Sequence, residues 1–306
     1  MNKLLVICGP TATGKSDLAF SLSKVLAGEL ISADSRQVYK GMDIGTGKDK
    51  ERVGPILGYD LVDPKKEFSV AQYIGFAKDA IEKIWRNKKL PIVVGGTGLY
   101  IKALVDGIQT VDIPRNDILR AGFDGKTVEE LFDTLSQVDS VKAASLNSSD
   151  KKNPRRIIRA IEIAIDKSGV KGAKSPKINA DVLFVGLTAS KETLNERIEK
   201  RVVKRIYQGI EREIENLLKT GVSWDSQAMQ SLGYRQFRGY FEGEQSIDEV
   251  EYLWAHEEQK YIKRQITWFK KDNRINWFDI TDPNYKKKVE RLVKKWYSKA
   301  KSAKKN

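Results

Sequence analysis

The chain has 306 residues, 40% of them hydrophobic, and carries 55 lysines and arginines against 41 aspartates and glutamates, a formal net charge of +14. A chain of this length and apolar content can bury a sizeable core, no apolar run approaches the roughly 20 residues of a membrane span, and the first residues enter a strand pattern rather than a signal peptide, so a cytoplasmic protein with no membrane partner is expected. The single cysteine excludes a disulfide framework and a cysteine-rich zinc site, while the surplus of positive charge calls for a polyanionic partner.

The first apolar run, Leu4 to Cys8, reads as a buried strand, with Cys8 a small core residue. It leads directly into Gly9-Pro10-Thr11-Ala12-Thr13-Gly14-Lys15-Ser16, a complete G-x-x-x-x-G-K-[ST] phosphate loop, and then into an amphipathic helix from Asp17 to Leu26. Such a loop wraps backbone N–H groups around the oxygens of a di- or triphosphate at a helix N-terminus, with Lys15 adding charge and the Ser16 hydroxyl reaching a metal ion. Further strands are expected at Leu30 to Ala33, Ile92 to Val94 and Val182 to Leu187, separated by helices. That alternation is the pattern of a parallel α/β sheet covered on both faces, whose ligand crevice lies at the carboxyl ends of the strands. The second strand runs into Asp34-Ser35-Arg36-Gln37-Val38-Tyr39 and the third into Gly95-Gly96-Thr97-Gly98-Leu99-Tyr100. Asp34 is placed either to take a proton from an acceptor or hold a metal-bound water, or simply to cap an Asx turn. Thr97 has the same two readings, a donor to a phosphate oxygen or a turn hydroxyl.

From about Pro114 to Gly172 strand signals stop and helices with polar turns take over, as in an insertion between sheet strands. One of these helices opens with Asn153 as N-cap and Pro154 at the first position; Ile157, Ile158, Ile161 and Ile165 form its apolar stripe and Arg155, Arg156 and Arg159 cluster at its first turns. After the fourth strand a long charged helix is expected from about Lys191 to Lys219. Ser231-Leu232-Gly233-Tyr234-Arg235-Gln236 offers an arginine and an amide after a glycine, a donor set for a pyrophosphate or a base edge. Ser246 and Glu249 form a capping box for a helix to about Lys271. Lys260, Lys263, Arg264, Thr267, Lys270 and Lys271 share one face of it, flanked by Tyr261 and Trp268, with Ile262, Ile266 and Phe269 opposite. The stripe is either a solvated face or a nucleic-acid surface. Residues 251–306 hold sixteen basic and seven acidic side chains, +9 of the total charge, and the tail from Lys299 to Lys305 either adds to that surface or only favours solubility. The lone His256, beside Glu257 and Glu258, reads as a surface residue.

Taken together, the phosphate loop, Ser32 to Thr46, Gly95 to Tyr100, Gly233 to Gln236 and Lys263 to Phe269 resemble the tRNA dimethylallyltransferases, also called tRNA isopentenyltransferases, over residues 3 to about 280. The resemblance implies a P-loop NTPase-like α/β core (1–113 and 173–306, with basic C-terminal helices) and a helical insertion domain (114–172). It implies transfer of a dimethylallyl group from dimethylallyl diphosphate to the exocyclic amine of the adenine 3′ of the tRNA anticodon, with Mg2+ required. Asp34 is then the general base; Lys15, Thr97 and Arg235 position the diphosphate, which Gly9 to Ser16 cradle, with Ser16 near the metal. Segments matching the family's tRNA contacts are Asp34, Ser35, Arg36 and Gln37; Thr97; Arg155, Arg156, Ile157, Ile158 and Arg159; and Ser231, Leu232, Gly233, Tyr234, Arg235 and Gln236. Lys263 and Arg264 would grip the anticodon stem.

Three departures stand out: Tyr59-Asp60 where many members carry histidines, a shorter insertion than in several relatives, and no zinc finger of the eukaryotic type, which points to the bacterial form. A monomer is the default. The alternatives on the residues alone are an adenylate isopentenyltransferase, a small-molecule P-loop kinase and a non-catalytic RNA-binding NTPase module.

Overall fold

A computed structural model describes residues 1–48, 55–108, 110, 113–166 and 177–302. Six strands occur among them: β1 (Lys3–Cys8), β2 (Gly28–Ser32), β3 (Ile56–Leu57), β4 (Leu90–Val94), β5 (Asp181–Thr188) and β6 (Ile275–Asp279). They pair in parallel throughout, in the order β3-β2-β4-β1-β5-β6. The chain divides into two compact units, Met1–Val105 with Lys177–Asn306, and Asp106–Pro176.

In the first unit α1 (Lys15–Leu26), α2 (Val70–Arg86) and α3 (Gly98–Asp106) precede the second. The second holds α4 (Asp117–Ala121), α5 (Val128–Val138), α6 (Ser140–Ser145), α7 (Ser148–Lys151) and α8 (Pro154–Ile165). The first then resumes with α9 (Lys191–Tyr207), α10 (Ile210–Lys219), α11 (Arg238–Phe241), α12 (Ile247–Phe269) and α13 (Tyr285–Ser302).

The central strands alternate between two cores because successive side chains of a strand point to opposite faces. Leu4, Val6, Cys8, Ile31 and Val93 join the helices α2, α3, α9, α10 and α12, whereas Leu5, Ile7, Leu30, Ile92 and Val94 pack with α1 and α13. Every residue of β1 is buried, which is why it reads as an unbroken apolar run. The two strands that the sequence patterns do not announce, β3 and β6, lie at the sheet edges. Most of β6 is exposed, so its Ile-Asn-Trp-Phe-Asp sequence carries no apolar run.

The helix expected over Lys191 to Lys219 is two helices. Gly209, at φ 89°, ends the first and caps the second, a conformation that costs glycine no Cβ clash. The capping box at Ser246 and Glu249 is formed, with both reciprocal bonds. In the helical unit Asn153 accepts from the Arg156 N–H with Pro154 at the first turn. The stripe of α8 buries Ile157 and Ile161 completely, worth ~1.5–3 kcal/mol each, while Ile165 at the helix end stays 38% exposed. Residues 167–172 of the expected insertion and 303–305 of the lysine-rich tail lie outside the described residues.

Candidate active site

The carboxyl ends of β1, β2 and β4 open into one cavity of about 900 Å³. Its floor is the phosphate loop, which passes from β1 into α1 through Gly14 in the left-handed conformation, φ 78°. Thr11, Ala12, Gly14, Lys15 and Ser16 face the cavity. Gly9, Pro10 and Thr13, expected among the diphosphate contacts, are buried behind it. Pro10 instead supplies the carbonyl that organises the loop, accepting from Thr13 Oγ1 at 2.9 Å and from Lys15 Nζ at 2.6 Å. Burial, reinforced by the charge of Arg201, pushes the Lys15 ammonium down to about 8, against the opposing pull of Asp34. A buried cation that is hard to keep charged is a strong receptor for an anion.

Two helices that follow the helical unit in sequence complete the floor. Gln265 of α12 accepts the Thr11 N–H at 2.9 Å and donates to the Gly96 carbonyl at 3.0 Å, joining the phosphate loop to the end of β4. Arg201 of α9 donates to Thr11 Oγ1 at 2.7 Å, and Arg197 to the Ala12 carbonyl at 3.2 Å. Glu258, buried on α12, takes bonds from Arg201, from Arg205 at 3.3 Å and from the Trp254 indole at 3.0 Å. The sequence reading missed all of these. Their signals exist: Arg197, Arg201, Lys204, Arg205 and Gln208 recur at helical spacing along α9 and line the cavity, and Glu258 and Gln265 interrupt the apolar stripe Trp254, Ile262, Phe269 of α12.

Asp34 lines the cavity just beyond β2, and its Oδ1 accepts the Arg36 N–H at 2.8 Å in the Asx turn that one of its two readings expects. Thr97 Oγ1 accepts the Ser35 N–H at 3.0 Å, fixing the segment after Asp34 as its turn-hydroxyl reading expects. Tyr261 also bonds Thr97 and faces the cavity, its phenol pushed up to about 12 by burial and by Asp34. Arg36 is anchored to the Gln227 carbonyl at 2.8 Å, and Gln227 Oε1 accepts from the Tyr39 hydroxyl at 2.9 Å.

Of the Ser231 to Gln236 segment, only Leu232 and Arg235 reach the cavity. Ser231, Gly233, Tyr234 and Gln236 are buried scaffold rather than tRNA contacts; Ser231 Oγ bonds the Ala228 carbonyl and Gln236 Oε1 accepts the Gly233 N–H. Arg235 is held by Glu257 at 2.8 Å. Arg264 lines the cavity with its guanidinium over the Tyr261 ring, and Lys263 is exposed beside it on α12. His256 is exposed and stacks on Tyr252.

The arginines of α8 belong to the helical unit. Ile157 faces its core with no exposure, so its side chain offers no RNA contact, and Ile158 is half-buried against that core. Arg159 is committed to Glu162 and to the carbonyls of Thr110 and Ile113, and Arg156 to Asp150. Arg155 is exposed.

No cluster of three His, Cys, Asp or Glu side chains suited to a metal occurs among the described residues. Ser16 faces the cavity at the start of α1 and offers a hydroxyl oxygen there. That is the donor set expected of a magnesium ion bound mainly through substrate phosphate and water.

Residues 37–272 match the IPP transferase family, and residues 2–53 match the isopentenyl transferases. The chain is similar to a tRNA dimethylallyltransferase of Alkaliphilus oremlandii, 39% identical over 291 residues covering 92% of each chain. It is similar to another of Anoxybacillus flavithermus, 37% identical over 299 residues covering 95% of each. Among solved structures it is similar to the full-length tRNA isopentenylpyrophosphate transferase of Bacillus halodurans, with 34% identity, 100% coverage of both chains and a TM-score of 0.73. A eukaryotic dimethylallyltransferase acting on tRNA superposes with a TM-score of 0.83 at 25% identity, over 98% of this chain and 80% of that one.

Proposed function

Because the chain belongs to the IPP transferase family, the tRNA dimethylallyltransferases, we propose how its cavity carries out the transfer of a dimethylallyl group to tRNA. The donor is dimethylallyl diphosphate and the acceptor the exocyclic N6 of the adenine that follows the anticodon. The bond between the dimethylallyl C1 and the diphosphate oxygen breaks, the oxygen keeping the electron pair. C1 bonds to N6, and N6 gives up one proton.

The observation that carries this reading is the meeting of Asp34 with the phosphate loop in one cavity. Negative charge grows on the departing diphosphate, where the loop N–H groups, Lys15 and Arg201 are already in place and need no reorganisation. Arg205 and Arg235, which also line the cavity, add to that field. Asp34 accepts the N6 proton through an oxygen whose orientation the Arg36 N–H bond fixes. Thr97 acts indirectly, holding Ser35 so that Asp34 cannot swing away. The Ser16 hydroxyl would help hold a magnesium ion, which when bound would neutralise charge on the diphosphate. The adenine must leave its stack to reach this depth, and Lys263 and Arg264 on the exposed face of α12 attract the anticodon stem.

Mass spectrometry of an anticodon stem-loop RNA incubated with the protein, dimethylallyl diphosphate and magnesium tests the reading. The adenine after the anticodon gains one dimethylallyl group; an unchanged mass, or label moving only onto free AMP, overturns it.

A further inference from the structure

Glu213, in the first turn of α10, is far in sequence from every motif, yet it organises one wall of the cavity. Its Oε2 accepts the N–H groups of Asp43 and Ile44 at 2.8 and 2.7 Å, and its Oε1 accepts the Gly45 N–H at 3.2 Å and the Tyr234 hydroxyl at 2.5 Å. Three consecutive backbone N–H groups converging on one anion form a nest, here filled by the protein's own carboxylate. The Tyr234 ring lies so close over Gly45 that any Cβ there would collide with it. One carboxylate thus joins the 43–45 backbone to the segment that carries Arg235.

The consequence passes on to the residues next to Asp34. The segment from Asp43 to Lys48 lines the cavity. The carbonyls of Thr46 and Gly47 accept from Gln37 Nε2 at 3.4 and 3.3 Å, while Gln37 Oε1 accepts from Ser32 Oγ at 2.7 Å. The Gln37 amide is therefore held from both ends, three residues beyond Asp34 and on the same cavity wall. Lys48 braces the far side of the segment, bonding Asp43, Asp60 and the Tyr39 carbonyl. None of these bonds reaches the phosphate loop, which is tied by Gln265, Arg197 and Arg201 instead.

We propose that Glu213 is a positioning residue for the acceptor half of the site: it sets the 43–47 backbone, and through the Thr46 and Gly47 carbonyls the Gln37 amide, so that the acceptor base is presented to Asp34. The inference rests on the prenyl-transfer reading above. It separates two halves of one cavity, a diphosphate half tied by α9 and α12 and an acceptor half tied by α10.

Glu213→Ala, Glu213→Gln and Tyr234→Phe separate the possibilities, with anticodon stem-loop RNA and dimethylallyl diphosphate as substrates and inorganic pyrophosphate as the binding probe. In Glu213→Ala, kcat/KM for the RNA falls on the order of 100-fold, the scale of a misplacement of about 1 Å, while the Kd for pyrophosphate is unchanged. Glu213→Gln is intermediate, since its one oxygen keeps the Asp43 and Ile44 N–H bonds but sets an NH2 against the Gly45 N–H. Tyr234→Phe, losing one bond of the four, falls least. RNA kinetics equal to wild type in Glu213→Ala overturn the inference. So does a pyrophosphate Kd that weakens in step with the RNA kinetics as the melting temperature drops, and so does a glutamine variant no better than alanine. If the wild-type protein itself leaves the RNA unmodified, the prenyl-transfer reading is what has failed.

Discussion

Two clusters in this chain have the same composition, one buried glutamate and two arginines, and opposite electrostatic outcomes. In the helical unit, Glu162 receives Arg120 at 2.7 and 3.1 Å, Arg159 at 3.0 Å and the Asn116 N–H at 3.1 Å. Burial alone would raise its carboxyl, but those bonds outweigh it and bring the group down to about 2. Arg120 is pushed up by its bond to Glu162, and Arg159 spends its other donors on the carbonyls of Thr110 and Ile113. In the cavity, Glu258 faces Arg201 and Arg205. Arg205 is pushed down to about 10 by burial and by Arg201, and Arg201 Nε is buried with no acceptor among the described residues. A saturated cluster is a rivet. An unsaturated one, with Lys15 adding a further buried cation, carries a surplus of charge that an anionic substrate satisfies.

The sharpest challenge to that distinction is Asp34, which takes part in a turn as well as in the cavity. Asp34→Asn keeps an oxygen for the Arg36 N–H but loses the base, so kcat should fall by about 100- to 10,000-fold with RNA affinity and melting temperature unchanged. A fall in stability with intact turnover would move Asp34 into the class of Glu162. The converse variant is Glu162→Ala, which strands two arginines and should cost the helical unit about 3–5 kcal/mol in chemical denaturation, with pyrophosphate affinity unaffected. Arg201→Ala should weaken pyrophosphate binding by about 10- to 100-fold through loss of a charged hydrogen bond, a loss that Glu162→Ala does not produce.

A smaller effect comes from Lys15, whose folded value of about 8 lies below its ordinary 10.5. A bound diphosphate favours the charged form, so no proton is taken up below pH 8. Above it, binding must protonate Lys15, and affinity should weaken by up to about tenfold per pH unit. Calorimetry in buffers of different ionisation enthalpy counts that proton, and Lys15→Met should abolish the uptake. The smallest effect belongs to the outer face of α12: Lys263→Ala and Arg264→Ala should each lower the salt slope of RNA binding by about 1. An unchanged slope would mean a merely solvated stripe.

Legibility followed burial and sequence distance. The phosphate loop and the segments after β2 and β4 are contiguous stretches whose residue types state their chemistry, so Asp34, Lys15 and Ser16 could be named from the sequence. Arg155 to Arg159 and Arg197 to Arg205 look alike as text, two helical clusters of cations. Only the packing shows that Arg159 is neutralised by Glu162 and backbone carbonyls while Arg201 reaches Thr11. Likewise Ser231, Tyr234 and Gln236 fall in a segment expected to touch tRNA, and their hydroxyls and amide turn out to hold the loop that presents Arg235.

The sequence by itself determined the parallel α/β class, the phosphate cradle, the surplus of cations and the resemblance to tRNA prenyl transfer. Each of these is local or additive, written in spacing, composition and short motifs. What only the tertiary structure decided is which polar side chains are consumed by the protein and which are left for a substrate. That depends on partners brought from 57 to 254 residues away, as with Glu258 and Arg201 or Gln265 and Thr11. A hydrogen bond is satisfied in space rather than along the chain, and the charge remaining in a cavity is known only when every such pair has been made.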